Sequence, residues 1–212
     1  MSVNLGIYDF FAYLVPGLMY LVLFNDFSAR MGWGAYDLAQ VNSQISIGTI
    51  GIVALSAYVI GNIFDVFAHW FCFSLLTRRS MPEAVLENLK QQYPDLNIAY
   101  RPKDYHLLFV LLRARNPGFT QTIDRFESNS IMLKNISFIA ALFSILHLPE
   151  LFTHFSLPGL LLVLAGVAAC WLAYRASKAY HTWFFLDVFQ ASLEYGLSTA
   201  EVIQNEKPKQ PN

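Results

Sequence analysis

Four long apolar stretches constrain what this chain can fold into. They cover residues 7–24, 45–76, 131–148 and 155–174. A helix needs roughly 20 mostly apolar residues to cross about 30 Å of hydrocarbon, and each stretch comes near that length. Only 14% of the residues are charged, whereas soluble domains carry about 25%. The sequence therefore predicts an all-α protein with four transmembrane helices instead of a soluble bundle, whose helices would need polar outer faces.

The basic residues predict the topology, because Lys and Arg are enriched in cytoplasmic loops. Eight of them lie between the second and third stretches, and four follow the fourth stretch. The connection 25–44 contains Arg30 alone, and the connection 147–154 contains none. We therefore expect both termini and the central segment in the cytoplasm, with the connections 25–44 and 147–154 facing outward.

This topology divides the chain into three predicted parts. Residues 1–76 and 131–176 are expected to form the transmembrane four-helix domain. Residues 77–130 are expected to form a cytoplasmic helical insert between spans two and three. Residues 177–212 are expected to form an aromatic, amphipathic helix at the membrane interface over 177–195, followed by a disordered tail.

Local signals place three helices in the insert. Ser80-Met-Pro-Glu83 has the pattern of a capping box with proline in the first turn, so it predicts a helix from there to about Gln92. A second helix is expected over 103–115. Pro117-Gly118 predicts a break, after which a third helix begins near Thr120 and runs directly into span three.

The second apolar stretch carries a polar stripe. Tyr58, Asn62, Asp65, His69 and Cys72 follow one another at intervals of four, three, four and three residues, so they lie on one face of a helix. An ionisable side chain inside a membrane costs at least ~2.5–3.5 kcal/mol on insertion scales, so it normally faces a protein interior or water. The stripe therefore predicts a polar contact within the membrane.

The first stretch repeats this pattern with Asp9, Tyr13, Pro16 and Tyr20, at intervals of four, three and four. Two interpretations of the stripes stay open. They are either a seam between helices of one chain, satisfied by hydrogen bonds, or the lining of a central axis in a cyclic oligomer. Under the second interpretation the candidate pore or gate residues are Asn62, Asp65, His69, Asp9, Tyr13 and Tyr58.

The basic residues of the insert have two interpretations as well. They are either ordinary markers of a cytoplasmic loop or contacts for lipid phosphates or a polyanionic ligand. The candidate anion contacts are Arg78, Arg79, Arg101, Lys103, Arg113 and Arg115. No motif of a metalloprotease, serine hydrolase, phosphate loop or dinucleotide site occurs in the sequence. We therefore expect no enzyme activity, no cofactor and no metal site.

Two segments resemble a group of small bacterial four-span proteins often encoded in anti-phage defence loci. They are Tyr8-Asp-Phe-Phe-Ala-Tyr-Leu-Val-Pro-Gly17 and Ala57-Tyr-Val-Ile-Gly-Asn-Ile-Phe-Asp65, and the basic insert, Arg125-Phe and Lys134-Asn135 fit the same layout. Within that group the chain is most similar to the membrane effectors of Hailong-type defence.

The resemblance implies a homo-oligomeric, tetrameric ion channel in the bacterial inner membrane. In that family a partner nucleotidyltransferase makes a single-stranded DNA oligomer that keeps the channel closed, and loss of the oligomer during infection opens it and depolarises the cell. On this basis the polar stripe would line or gate the pore, and the basic insert would contact the oligomer. A different hypothesis is a non-conducting membrane anchor or adaptor that holds a cytoplasmic partner protein.

Overall fold

The computed structural model describes residues 7–34, 46–75, 80–94 and 98–197, and these residues form helices and connections without a strand among them. The helices, in chain order, are α1 Ile7–Arg30, α2 Ile47–His69 with a π-helical continuation Trp70–Leu75, α3 Met81–Gln92, a short 3-10 turn Pro102–Asp104, α4 Tyr105–Arg115, α5 Pro117–Thr153 and α6 Leu157–Glu194. Four of them, α1, α2, α5 and α6, are long and apolar enough to cross a membrane. The prediction of an all-α chain with four spans is confirmed, as expected of a multi-pass membrane protein.

The chain divides into two compact units. The first, which we call the membrane unit, consists of Met1–Arg78 and Ser128–Lys178. The second, which we call the insert unit, consists of Arg79–Glu127 and Ala179–Asn212. The long helices α5 and α6 each contribute residues to both units.

The predicted position of the turn, residues 147–154, is wrong, because α5 continues through Pro149 to Thr153. A proline inside a helix removes one backbone hydrogen bond, but the bonds resume directly after it. The amide of His154 donates to the Glu150 carbonyl at 2.8 Å, and the Thr153 hydroxyl is 3.3 Å from the Pro149 carbonyl. The connection between α5 and α6 is therefore limited to residues 154–156. Helix α1 also runs further than its apolar stretch, to Arg30.

Residues 177–194 are helical as predicted, but they continue α6 without a break. Ser177 lies in the middle of that helix and is fully buried. Its hydroxyl donates to the Ser130 carbonyl of α5 at 2.9 Å, so the position expected to start a new helix instead joins two spans. An interfacial location for 177–194 stays a prediction.

In the insert, α3 runs from Met81 to Gln92 as predicted, although the Ser80 side chain makes no capping hydrogen bond. The break expected at Pro117-Gly118 is wrong, since Pro117 is the first residue of α5. The first amide of a helix has no partner within the helix, so a proline there loses nothing. The interruption between α4 and α5 lies one residue earlier, at Asn116. The Asn116 side chain accepts a hydrogen bond from the Phe119 amide at 3.2 Å.

The core of the insert unit is aliphatic and aromatic. Leu89 of α3, Leu108 and Leu112 of α4 and Phe189 of α6 are all fully buried. The Tyr100 hydroxyl donates to the Leu197 carbonyl at 2.7 Å, and burial raises the pKa of this phenol. The unit therefore has its own apolar interior, closed by a buried hydrogen bond.

Candidate functional site

An ion pair lies between α2 and α5 in the membrane unit. The Lys134 ammonium is 2.9 Å from Asp65 Oδ1 and 3.1 Å from Asp65 Oδ2. The Lys134 side chain is 6% exposed and that of Asp65 is 21% exposed. Both charges lie on helices that are apolar enough to span a membrane, so water has little access to either.

Neighbouring polar groups complete this centre. Asn135 donates from Nδ2 to Asp65 Oδ1 at 2.7 Å and accepts at its Oδ1 from the Tyr20 hydroxyl of α1 at 3.2 Å. Asn135 and Tyr20 are fully buried. We call Tyr20, Asp65, Lys134 and Asn135 the polar centre, and it joins three of the four spans.

The π-helical turn after α2 lies beside this centre. The Cys72 thiol is 3.7 Å from the Lys134 carbonyl, within reach of a weak hydrogen bond, and Cys72 is fully buried. π-helical segments are rare, are mostly single turns within α-helices, and occur frequently at functional sites. The backbone irregularity of α2 therefore coincides with the position of the buried cation on α5.

The energetics of the polar centre depend on its being complete. Removing a carboxylate and an ammonium from water costs several kcal/mol of free energy per ion, and their mutual attraction offsets about that amount. The pair is therefore not by itself a source of stability. Every fully buried side-chain nitrogen and oxygen among the described residues has a hydrogen-bond partner. The arrangement therefore holds a charged pair in the membrane unit with its hydrogen bonds satisfied.

The two polar stripes turn towards α5. Besides Asp65 and Tyr20, Asp9 of α1 accepts from the Ser128 hydroxyl of α5 at 2.6 Å. Together these contacts form a seam along one side of α5. In the single chain, the acidic residues of the stripes thus point into the interface between helices.

The other predicted stripe residues have different surroundings. Tyr13 and Tyr58 pack edge to face, with ring centroids 5.9 Å apart. Asn62 donates to the Tyr58 carbonyl of its own helix at 3.0 Å. His69 is exposed, and its ring lies against Phe73 with centroids 5.0 Å apart. The structure therefore brings Asp65 into the polar centre and leaves His69 on the outer surface of the chain.

Lys134 and Asn135 were not among the candidate site residues. The available signal was a lysine inside the third apolar stretch, the only Lys or Arg within residues 131–148. A cation at that depth needs a counter-charge, and Asp65 is the acid of the second stretch. The spacing within each helix identified Asp65, but only the packing of α2 on α5 identifies its partner.

Of the candidate anion contacts, Arg78 and Arg79 lie outside the described residues. Arg101 is 3.3 Å from Asp104 with its side chain 74% exposed, and Lys103 is exposed. Arg113 is 3.6 Å from Asp124, and Arg115 donates to the Tyr195 carbonyl at 3.1 Å. These four candidate anion contacts are thus at the surface, and three of them have a contact inside the insert unit.

Among the residues that the structure describes, no group of three or more His, Cys, Asp or Glu side chains is arranged to hold a metal ion. Comparison of the chain with protein-family models, with curated proteins and with solved structures found no match in any of the three.

Proposed function

We propose that the protein is a subunit of a homo-oligomeric ion channel in the bacterial inner membrane, with the Asp65–Lys134 pair as its gate. The observation that carries the proposal is this pair, 2.9 Å apart within a set of membrane-spanning helices. Ionisable side chains inside spans are expensive and commonly mark ion pathways or their gates. Packing alone would be served by apolar side chains of similar volume.

The geometry supports a gate more than a permanently open pore. In the single chain Asp65 is held by Lys134 and Asn135, so its carboxylate is not offered to a passing ion. Conduction would then require α2 to move relative to α5, and the π-helical turn Trp70–Leu75 gives α2 an irregular segment next to the pair. In the proposed open state the separated charges face a path shared between subunits.

The insert would regulate the opening of the channel. Four exposed cations are available in the insert: Arg101, Lys103, Arg113 and Arg115. Cations contact the phosphates of a nucleic acid whatever its base sequence. The resemblance to Hailong-type effectors supports a tetramer, a single-stranded DNA oligomer made by a partner nucleotidyltransferase as the closing ligand, and antiviral defence by depolarisation as the outcome.

The test is conductance in a planar bilayer containing the purified full-length protein. We expect current in the absence of oligonucleotide and block by a short single-stranded DNA, with a block that weakens steeply as salt is raised, since phosphate contacts release counterions. Asp65→Asn removes the negative charge that attracts the Lys134 ammonium, so it is expected to raise the open probability of the channel. Thr49→Ala on the same helix, whose hydroxyl contacts only Ser46 in the described structure, is the matched control and should conduct like wild type.

A protein that stays silent under all ligand conditions, and is monomeric in mild detergent, contradicts the channel and favours the adaptor hypothesis. One observation supports that second hypothesis directly: the polar seam is satisfied within a single chain, as a self-contained anchor requires. An adaptor would retain a cytoplasmic partner protein on the membrane without passing current, and Asp65→Asn would change its stability alone.

A further inference from the structure

A long apolar groove lies on the membrane unit between α1, α5 and α6. Its volume is about 510 Å³, which is within the range of about 300–1,000 Å³ typical of ligand pockets. Almost all of its lining is apolar. Representative lining residues are Leu18, Val22, Ile139, Phe143, Leu162 and Ala165.

The length of the groove along α1 is comparable to the thickness of one leaflet. Along α1 its lining runs from Leu18 to Asp26, eight residue steps, or about 12 Å at the helical rise per residue. Half of the hydrocarbon core is about 15 Å thick. A groove of this length, on spans that face lipid, matches an acyl chain that enters from one side of the bilayer.

One end of the groove is charged. Asp26 is the charged residue among its lining residues, and Arg30 donates from Nε to Asp26 at 3.0 Å. The same guanidinium contacts Glu150 and lies 2.7 Å from His147 Nε2. These four side chains, from the ends of α1 and α5, form what we call the end cluster.

The end cluster contains more carboxylates than guanidinium groups. His147 Nδ1 is 3.0 Å from the Phe143 carbonyl, which only accepts, and its Nε2 faces Arg30, which only donates. These two neighbours favour the tautomer whose hydrogen is on Nδ1. Two carboxylates then face one guanidinium, and both remain partly open to solvent, with Asp26 37% and Glu150 61% exposed.

We propose that this groove is a binding site for phosphatidylethanolamine. The acyl chain lies along the groove, and the primary ammonium of the headgroup donates hydrogen bonds to the carboxylates of Asp26 and Glu150. Such charge-assisted hydrogen bonds are short and strong. Phosphatidylcholine has a cation without N–H donors, and phosphatidylglycerol has an anionic headgroup without an ammonium, so neither complements the end cluster as well.

The experiment is native mass spectrometry of the full-length protein in detergent, titrated with phosphatidylethanolamine, phosphatidylcholine and phosphatidylglycerol of identical acyl chains. We expect phosphatidylethanolamine to bind about tenfold more tightly than phosphatidylglycerol, a difference of about 1.4 kcal/mol. Ala165→Phe fills the groove and should weaken the binding of phosphatidylethanolamine about tenfold. Ala168→Phe is the matched control, because Ala168 is exposed on the same helix and does not line the groove.

A second variant tests the headgroup contact separately from the groove. Asp26→Asn leaves the apolar lining intact and removes one carboxylate, so the ratio of phosphatidylethanolamine to phosphatidylglycerol affinity should fall towards one. Equal affinities of the two lipids for wild type, equal effects of Ala165→Phe and Ala168→Phe, or a ratio unchanged in Asp26→Asn would each overturn the proposal. Neither channel activity nor an oligonucleotide ligand enters this test.

Discussion

At the scale of single residues, Lys134 has the most demanding position in the chain. Its side chain is almost fully buried and its ammonium contacts both oxygens of Asp65. Removing one partner of a buried ion pair leaves the other charge without compensation, whereas removing both can be neutral. The pair therefore couples α2 to α5 in a way that substitutions can measure.

We expect Lys134→Met to lower the free energy of unfolding by about 3–5 kcal/mol, because Asp65 would stay buried without its cation. The double substitution Asp65→Asn with Lys134→Met should recover much of that loss, since no unpaired charge remains. Unfolding of the purified protein in mixed detergent micelles, followed by circular dichroism, measures both changes.

Lys90→Met is the matched control for this experiment. Lys90 is exposed on α3, so the same change of side chain there should alter the free energy of unfolding by less than about 0.5 kcal/mol. A double variant as unstable as the sum of its two single substitutions would show that Asp65 and Lys134 are not energetically coupled.

The contact between Asp65 and Lys134 is not predictable from the sequence, although the position of Asp65 is. Asp65 is recognisable from its helical spacing with Asn62, because both residues lie within one helix. Its contact with Lys134 joins residues 69 apart in the chain, and it depends on which spans pack together. Periodicity describes the face of one helix and contains no information on the neighbour of that face.

At the scale of helices, α1 and α2 cross in direct backbone contact. A Cβ atom added at Gly17 would collide with the Ala57 carbonyl, and one added at Gly61 would collide with the Tyr13 carbonyl. Small residues at such crossings let two spans approach closely, which favours their association in a membrane. Because Tyr20 also lies on α1, this crossing sets how α1 presents its hydroxyl to the polar centre.

We expect Gly17→Ala and Gly61→Ala each to lower the free energy of unfolding by about 1–3 kcal/mol, the usual effect of overpacking. Backbone atoms, unlike the end of a flexible side chain, have little room to move away. Gly51→Ala is the control, because a Cβ atom there meets nothing within 4 Å and alanine favours a helix by about 1 kcal/mol over glycine. The same unfolding titration in micelles distinguishes the three variants, and equal losses at all three positions would exclude a specific crossing contact.

The sequence predicted the existence and order of the long helices better than their ends. Hydropathy detects the apolar part of a helix, so it predicts that the fourth span ends near Tyr174, where polar residues begin. The helix continues past that point, and the Ser177 hydroxyl donates to the Ser130 carbonyl of α5, a tertiary contact that hydropathy does not detect. Similarly, Pro117-Gly118 predicts a break, although a proline is also compatible with the first position of a helix.

At the scale of the whole molecule, the internally satisfied polar seam limits how the proposed channel can work. Asp9 and Asp65 contact α5 in the single chain, so neither carboxylate is free to line a pore. A conducting path must therefore come from movement of the spans or from surfaces between subunits. The large apolar side chains exposed along α2, such as Ile52 and Val66, are compatible with contact to lipid or to another subunit.

Orientation in the membrane is the whole-molecule property that the charge pattern predicts most directly. Eight basic residues between the second and third stretches favour the cytoplasmic side for that segment. Single cysteines are placed in a background in which Cys72 and Cys170 are alanine. In spheroplasts of the expression host, a membrane-impermeant maleimide is expected to label His154→Cys directly and Lys103→Cys only after permeabilisation, since both positions are exposed. The cysteine-free background should remain unlabelled. Direct labelling of Lys103→Cys with protection of His154→Cys would show the reverse topology. The basic insert would then be out of reach of any cytoplasmic oligonucleotide.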